Sequence, residues 1–410
     1  MTAAGGRFTL ARRLGAATAA LSRATGRGGG TTIGGRVTLA VDPSALRHAA
    51  AGRRLALVSG TNGKTTTRTL LVAALRTAGP VVSNGGGANL PPGLTAALGA
   101  DLDAPVGVLE VDEPYLPRVA ATVRPELVVL LNLSRDQLDR YAEVGRLAGI
   151  WRDALALPGA ATAVANVDDP LVVWAASSAP AVRWVSVGLR WRDDASACPA
   201  CGGPVTWRGD DWSSDCGFSR PRPDWVLEGS ELVTPDGERL RIRLALPGAA
   251  NLGNAALAAA AAAEFGVDPR TALDAMAAIT GVEGRYVERD FAGRRTRLLL
   301  AKNPAGWQES LSFVRPEATH VVVAINARAA DGRDPAWLWD VPFERLQGRF
   351  VTATGERSRD MAVRLRYAGV EHQRVDDLAQ ALRRAGGQGP LEVLANYTAF
   401  QQLRKVVGDA

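Results

Sequence analysis

Ser59-Gly60-Thr61-Asn62-Gly63-Lys64-Thr65-Thr66-Thr67 decides the fold. The apolar run Leu55-Ala56-Leu57-Val58 leads into it, and Leu70, Leu71, Ala74 and Leu75 recur after it at helical spacing. A strand, a glycine-bounded loop, a Lys-Thr pair and a helix together form a cradle for nucleotide phosphates. The glycines let the backbone bend and turn its N–H groups inward, and the helix N-terminus adds positive dipole. On this reading Gly60, Thr61, Asn62, Gly63, Lys64, Thr65 and Thr66 line an ATP site. Lys64 reaches the outer phosphates and the Thr65 hydroxyl faces a magnesium ion. The interval between the glycines is shorter than in the general phosphate-loop pattern.

The 410 residues are enough for two or three domains, each with its own core. A net charge of +6 and a pI of 9.6 would suit an anionic membrane surface or a phosphorylated substrate. The charges read as interleaved, without a long Lys/Arg block, which argues against nucleic acid. Arg7, Arg12 and Arg13 precede an Ala-rich apolar stretch too short and broken for a signal peptide, and a solvent-facing amphipathic helix is expected there. No stretch is long enough to span a bilayer.

Residues 1–50 read as a leader with a helix, a Gly-rich loop at 26–30 and a short strand near Arg36–Val41. From 51 to 285 strands alternate with helices. Strands are predicted at Leu55–Ser59, Val81–Ser83, Val106–Glu110, Leu127–Leu131 and Thr162–Ala165, the pattern of a parallel, doubly wound sheet. Residues 185–245, rich in tryptophan and holding all three cysteines, read as an inserted small β module. Asn251–Phe265 is an Ala-rich packing helix. A second α/β domain spans 286–410, with strands at Thr296–Ala301, His320–Ile325, Phe350–Ala353 and Leu391–Leu394.

Glu110 closes the apolar strand Val106–Leu109 and is followed by Asp112 and Glu113. Carboxylates just past a strand's carboxyl end sit where open α/β sheets bind ligands, so Glu110 is the expected magnesium ligand. Asn132-Leu133-Ser134-Arg135-Asp136-Gln137-Leu138-Asp139-Arg140 follows the next strand. It reads either as a substrate or metal loop or as a helix cap with local salt bridges.

The phosphate loop, Glu110 and the 132–140 loop fall in the order and rough spacing of the Mur ligases. Asn166-Val167-Asp168-Asp169-Pro170, Asn251–Asn254 and Gly284-Arg285 continue the series. The chain more closely resembles the MurT family, the Mur-like subunits of lipid II isoglutaminyl synthases. That resemblance rests on Glu110–Glu113, Arg135–Arg140, Lys302-Asn303-Pro304-Ala305-Gly306, Ala330–Asp334 with Trp337-Leu338-Trp339-Asp340, and Ala395–Ala399. It implies a central ATPase domain with an inserted zinc-ribbon-like lobe and a C-terminal Rossmann-like domain. It implies ATP and magnesium as cofactors, Asn254 reading adenine, Arg285 near the γ-phosphate, and cytoplasmic action at the inner face of the plasma membrane. Gln137 stands where amino-acid-adding Mur ligases carry a histidine, and Arg152 roughly where many carry a carbamylated lysine.

Cys198-Pro199-Ala200-Cys201-Gly202 is half of a zinc ribbon. The family supplies a second Cys-x-x-Cys. Here Cys216 matches its last member and Ser213 takes the place of the first, so Asp211 or Asp215 would have to complete a structural zinc site, or the zinc is lost. His48, His320 and His372 form no recognisable nucleophile–base pair. In the family the ammonia comes from a separate glutaminase, GatD, whose incomplete triad borrows an acid, and Asp334 or Asp340 is the candidate. Trp337 and Trp339 would mark the interface.

The expected function is therefore ATP-dependent amidation of the D-glutamate α-carboxylate in the lipid II stem peptide. An amino-acid ligase of the Mur or folylpolyglutamate type and a non-catalytic nucleotide-binding scaffold are the rivals. ATP turnover separates the scaffold from both enzymes, and glutamine dependence separates the two enzymes.

Overall fold

A computed structural model describes residues 3–25, 30–135, 144–281, 286–386 and 389–408. The chain divides into two compact units, Met1–Leu133 with Val144–Thr280, and Ser134–Glu143 with Gly281–Ala410.

The first unit is built on a nine-stranded sheet. Its strands are β1 (Arg54–Ser59), β2 (Val81–Ser83), β3 (Val106–Glu110), β4 (Leu127–Leu130), β5 (Thr162–Asn166), β6 (Val182–Ser186), β9 (Trp225–Glu228), β10 (Glu231–Val233) and β11 (Arg239–Arg241), while β7 (Val205–Arg208) and β8 (Asp211–Ser214) form a separate hairpin. The spatial order is β11-β10-β9-β6-β5-β4-β1-β3-β2, parallel from β2 to β9 and antiparallel at the β9–β11 edge. Continuous apolar runs such as Leu55–Val58 and Leu127–Leu130 are buried on both faces, as a parallel sheet covered by helices requires. The Ala249–Glu264 helix lies against the Lys64–Leu75 helix and the central strands. Its Ala255–Ala262 run is buried, and methyl side chains there allow close approach.

Two local expectations differ from the structure. Arg36–Val41 is the end of a helix, Thr31–Val41, not a strand. Its alternating Val37-Thr38-Leu39 sequence suits either form, and packing against the Ala3–Ala24 and Pro91–Ala100 helices selects the helix. The 185–245 stretch is not a self-contained module either. β9, β10 and β11 extend the main sheet beyond β6, and only the β7–β8 hairpin with its cysteine turns stands apart.

That hairpin is anchored by polar and aromatic groups. Trp212 is buried among Val167, Val173, Cys198 and Val205, and its Nε1 donates to the Val167 carbonyl at 3.3 Å. The Asp168 carboxylate accepts from Arg220 Nε at 2.8 Å and Nη2 at 2.7 Å, and from the Val187 and Gly188 N–H groups at 2.7 and 2.6 Å.

The second unit holds a six-stranded sheet of β12 (Tyr286–Phe291), β13 (Arg294–Leu300), β14 (His320–Ala324), β15 (Phe350–Thr354), β16 (His372–Arg374) and β17 (Leu391–Ala395), in the order β12-β13-β17-β14-β15-β16. All pairs are parallel except the β12–β13 hairpin. Trp307, Phe343 and Phe400 fill its two apolar layers.

Asp168 is buried, so removing its charge strands Arg220 and two backbone donors. Asp168→Ala is expected to destabilise the first unit by about 3–5 kcal/mol, measured by urea unfolding with tryptophan fluorescence.

Candidate active site

β1 lies between β3 and β4, at the point where the strand order reverses, and the carboxyl ends of these three neighbours converge. Ligands bind at such a switch point in open α/β sheets. The phosphate loop leaves β1, Glu110 ends β3, and Asn132 follows β4.

The loop is held by its neighbour rather than by itself. The Asn132 side chain accepts from the Asn62 N–H at 2.9 Å and donates to the Asn62 carbonyl at 3.0 Å. The Asn132 carbonyl accepts from the Thr61 N–H at 2.9 Å. Gly60 has φ 146° and would press a Cβ to 2.8 Å from Leu131 Cβ. Gly63 caps the helix at φ 89°, and a Cβ there would meet Asn254 Oδ1 at 2.4 Å. Both positions therefore need glycine. Asn254 thus sits against the loop, on the Ala249–Glu264 helix.

These contacts change two expectations. The Thr61 and Asn62 N–H groups, read as phosphate donors, donate to Asn132 instead. The loop ends at the N-terminus of the Lys64–Leu75 helix, capped by Gly63, where the helix dipole is positive. Asn132 itself, first in a loop read either as a substrate or metal loop or as a helix cap, is the clamp that fixes the phosphate loop.

Lys64 is buried. Its Nζ donates to the Gly60 carbonyl at 2.7 Å and to Glu113 Oε2 at 2.9 Å, with Asp112 Oδ1 at 4.0 Å. Burial alone pushes its ammonium down, but the carboxylates of Glu113, Asp112 and Glu110 outweigh it and hold Lys64 above the usual lysine range. Glu110 is also buried and faces Arg68, whose Nε is 3.7 Å from Oε2. Arg68 lies one helical turn past Lys64, a spacing that places both cations on one face. The sequence reading missed both Arg68 and the direct Lys64–Glu113 pair. The Glu110 backbone is locked by Asn84, which accepts from the Glu110 N–H at 2.8 Å and donates to its carbonyl at 2.9 Å. Asn84 is therefore committed to holding the strand end.

Asp169 supports the clamp from behind. It caps the Pro170–Ala176 helix through the Leu171 N–H at 2.9 Å, and its other oxygen accepts from the Leu133 N–H at 2.8 Å. Burial pushes its carboxyl up to about 6, against the pull of these N–H donors.

In the second unit a similar clamp closes the sheet. The Asn396 side chain accepts from the Asn326 N–H at 3.0 Å and donates to its carbonyl at 2.6 Å. Asp331 binds the Arg328 N–H and the start of the last helix through the Thr398 N–H. Asp334 is exposed and accepts from the Ala336 N–H at 2.9 Å. Asp340 accepts from Arg135 Nη1 at 3.0 Å, a contact within this unit. Trp337 stacks on the buried Trp307 and belongs to the core, whereas Trp339 is exposed and meets the exposed Tyr367 edge-on at 5.3 Å. The structure thus keeps Asp334 and Asp340 in a unit separate from Lys64 and Glu110. Gln137 and Arg285 lie outside the described residues, as do Asp136 and residues 138–140.

A family model described as the Mur ligase middle domain matches residues 58–262, half of the chain. The chain belongs to the Mur ligase family. A second model, the MurT ligase C-terminal domain, matches residues 300–400. Over 93% of both chains, this Mur ligase is 28% identical to the lipid II isoglutaminyl synthase (glutamine-hydrolysing) subunit MurT of Streptococcus pneumoniae. It is 28% identical to the subunit of the same name from Staphylococcus aureus over 85% of each chain. Among solved structures, a pseudomurein peptide ligase type C from Methanothermus fervidus superimposes with a TM-score of 0.70 at 20% identity, covering 87% of this chain and 79% of that one. That last likeness is one of fold.

The cysteine turns of this Mur ligase form one cluster. The sulfurs of Cys198, Cys201 and Cys216 all lie within 4.8 Å of one another, and no carboxylate oxygen of the described residues joins them. Asp211 and Asp215 therefore do not complete the site. Nor does Ser213, which is exposed on β8 because strand side chains alternate. Ser214 faces the cluster, with Oγ 3.7 Å from Cys201 Sγ. The two turns match at Ser214 and not at Ser213. The Gly202 N–H donates to the Cys198 carbonyl, as the Gly217 N–H does to that of Ser214. The Cys198 N–H donates to the Gly203 carbonyl, as the Ser214 N–H does to that of Phe218. The second turn is one residue shorter, which the Cys-x-x-Cys spacing rule could not reveal. The Gly203 N–H, with the neighbouring thiols and Ser214, holds Cys201 down to about 7.

Each of the three histidines has a hydrogen-bond partner in the fold. His48 pairs with Asp42, His320 is buried between the Gly386 carbonyl and Thr352, and His372 bonds the Val370 carbonyl. Arg152 lies over Trp174 and bonds its carbonyl.

Asn132→Leu keeps the volume but strands the Asn62 N–H and carbonyl. Loss of two such bonds costs about 2–3 kcal/mol, so the melting temperature is expected to fall by about 4–12 °C, and nucleotide affinity by up to about 30- to 100-fold because the loop is no longer held. Calorimetric titration with ADP measures it.

Proposed function

We propose that this chain is the ATP-dependent subunit of a glutamine-hydrolysing lipid II isoglutaminyl synthase. The observation that carries the reading is joint. An intact phosphate loop with a buried Lys64 occurs in a chain that resembles MurT subunits along nearly its full length. A scaffold would have no need of a buried cation set among three carboxylates.

The chemistry has two steps. A carboxylate oxygen of the D-glutamate residue attacks the γ-phosphorus of ATP, giving an acyl phosphate and ADP. Ammonia then attacks the acyl carbon and phosphate leaves, giving the amide. Lys64 would exchange its contact with Glu113 for the outer phosphates and hold the charge that develops on them. The Lys64–Leu75 helix N-terminus would add its N–H groups. Glu110, Thr65 and the released Glu113 offer the hard oxygen donors that suit magnesium. Bound there, the ion would neutralise phosphate charge. Asn254 and Arg285 would contact the nucleotide, as the family resemblance implies.

The ammonia would come from a GatD-like glutaminase. Its docking face on this chain would be the exposed Trp339–Tyr367 pair with Val363, and Asp334 or Asp340 would orient its histidine. The substrate is lipid-linked, so the enzyme would act at the inner face of the plasma membrane. Among the described residues no helix is long and apolar enough to cross it.

The β7–β8 lobe would hold a structural zinc through Cys198, Cys201 and Cys216, with Ser214 Oγ at the fourth corner. A tetrahedral ion about 2.3 Å from sulfur and about 2.0 Å from oxygen has sulfur–sulfur edges of about 3.8 Å and sulfur–oxygen edges of about 3.5 Å. The Cys198–Cys216 sulfurs are 3.7 Å apart and Cys201 Sγ is 3.7 Å from Ser214 Oγ.

The functional test is reconstitution with the glutaminase and lipid II. Glutamine-dependent amidation is expected, and Lys64→Ala should cut it by about 10²–10³-fold or more in a folded chain. Near-normal activity of that variant would refute the mechanism. Asp334→Asn or Asp340→Asn should depress the glutamine-driven rate by about 10³–10⁴-fold while the rate with ammonium salts at alkaline pH survives. If both keep full glutamine activity, neither serves the partner.

For the lobe, cobalt substitution reads the ligand set directly. The wild-type spectrum should show three thiolates, and Ser214→Cys should add a fourth and slow metal loss to a chelator. Ser213→Cys should change neither. A purified protein without metal, or a response to Ser213→Cys instead, would overturn the assignment.

A further inference from the structure

The interleaving of charge holds only beyond residue 41. Residues 1–41 contain Arg7, Arg12, Arg13, Arg23, Arg27 and Arg36 and no acidic residue. The rest of the chain then holds 42 basic and 42 acidic residues, so the net +6 of the protein resides in this one segment.

The segment folds as two helices, Ala3–Ala24 and Thr31–Val41. Ala11, Gly15 and Ala19, spaced four apart, form the buried side of the first helix, with Gly15 against Thr38 and Ala19 against Gly34. The adjoining side carries Leu10, Leu14 and Leu21, which are 54%, 43% and 65% exposed. At 100° per residue these three fall within about 40° of one another. Ile33 of the second helix is 47% exposed. Arg7 and Arg13 lie about 40–80° either side of the stripe; both are exposed, as are Arg23 and Arg36.

From this geometry we infer that the Ala3–Ala24 helix is the surface by which the protein docks on an anionic phospholipid bilayer. The leucines enter the interface and the arginines meet lipid phosphates, the arrangement of helices that lie on membranes rather than cross them. A second copy of the chain is disfavoured, because the face would meet another of the same charge. Nucleic acid would satisfy the arginines but leave the leucine stripe without a partner, since its interfaces are polar. The inference deepens the reading of a lipid-linked substrate and rests on it only for the choice of membrane.

The test is sedimentation of the full chain with substrate-free vesicles. Binding is expected to mixed phosphatidylglycerol–phosphatidylcholine vesicles and not to phosphatidylcholine alone, and it should weaken as salt rises. Arg7→Gln with Arg13→Gln should reduce it by about fivefold per residue. Leu10→Ser, Leu14→Ser and Leu21→Ser together should reduce it by at least about tenfold, with an unchanged melting temperature and unchanged amidation of detergent-dispersed substrate. Three results would overturn the inference. They are no binding to the anionic vesicles, full binding by the leucine variant, and equal or tighter binding to duplex DNA. Vesicle binding without any amidation would instead count against the proposed function and leave this surface standing.

Discussion

A side-chain amide that pairs with both polar groups of one backbone residue is the interaction on which the two sheets depend. Asn132 does this to Asn62, Asn84 to Glu110, and Asn396 to Asn326. Each time the amide replaces a neighbouring strand at the point where strands diverge and a loop must begin. A strand end left alone would bury an unpaired N–H and carbonyl, each costing about 1–3 kcal/mol. An asparagine satisfies both with one short, stiff side chain. It also positions the next residues, so the phosphate loop and Glu110 are held before any ligand arrives.

The electrostatics follow from that rigidity. Lys64 is out of water, and an isolated buried ammonium would be costly. Three carboxylates from the β3 end supply the compensation, with Glu113 in direct contact. A ligand that displaces Glu113 from Lys64 has to bring negative charge of its own, as a nucleotide's phosphates do. Behind the clamp, two adjacent carboxylates divide their work. Asp169 fixes the Leu133 backbone beside Asn132, and Asp168 fixes Arg220 of the cysteine lobe. The lobe is thereby tied to the same β5 end that braces the phosphate loop.

The likeness to Mur ligases of known structure concerns the framework. The β7–β8 hairpin, the Ala336–Trp339 turn with its outward Trp339 and the arginine-rich N-terminal helices all lie outside the β3, β1 and β4 strands that form the switch point.

The strands β1 to β5 and, in the second unit, β13, β14, β15 and β17 were legible because buried parallel strands write themselves as continuous apolar runs, whereas the edge strands β12 and β16 carry no such run. The glycines and Lys64 were legible because a phosphate cradle tolerates few alternatives. Family membership was legible from motif order. The sequence alone could not reveal partners that are distant in the chain. Asn132 lies seventy residues from Asn62, Glu113 forty-nine from Lys64, and no local pattern marks either pair. It misplaced Ser213 because a turn shorter by one residue shifts which side chain faces inward, and strand alternation makes that shift decisive. It read Arg36–Val41 as a strand because β-branched residues suit both forms, and packing alone chose. Local chemistry is written in the sequence; which groups meet across the sheet is decided by tertiary structure, because burial and hydrogen-bond satisfaction are properties of the assembled whole.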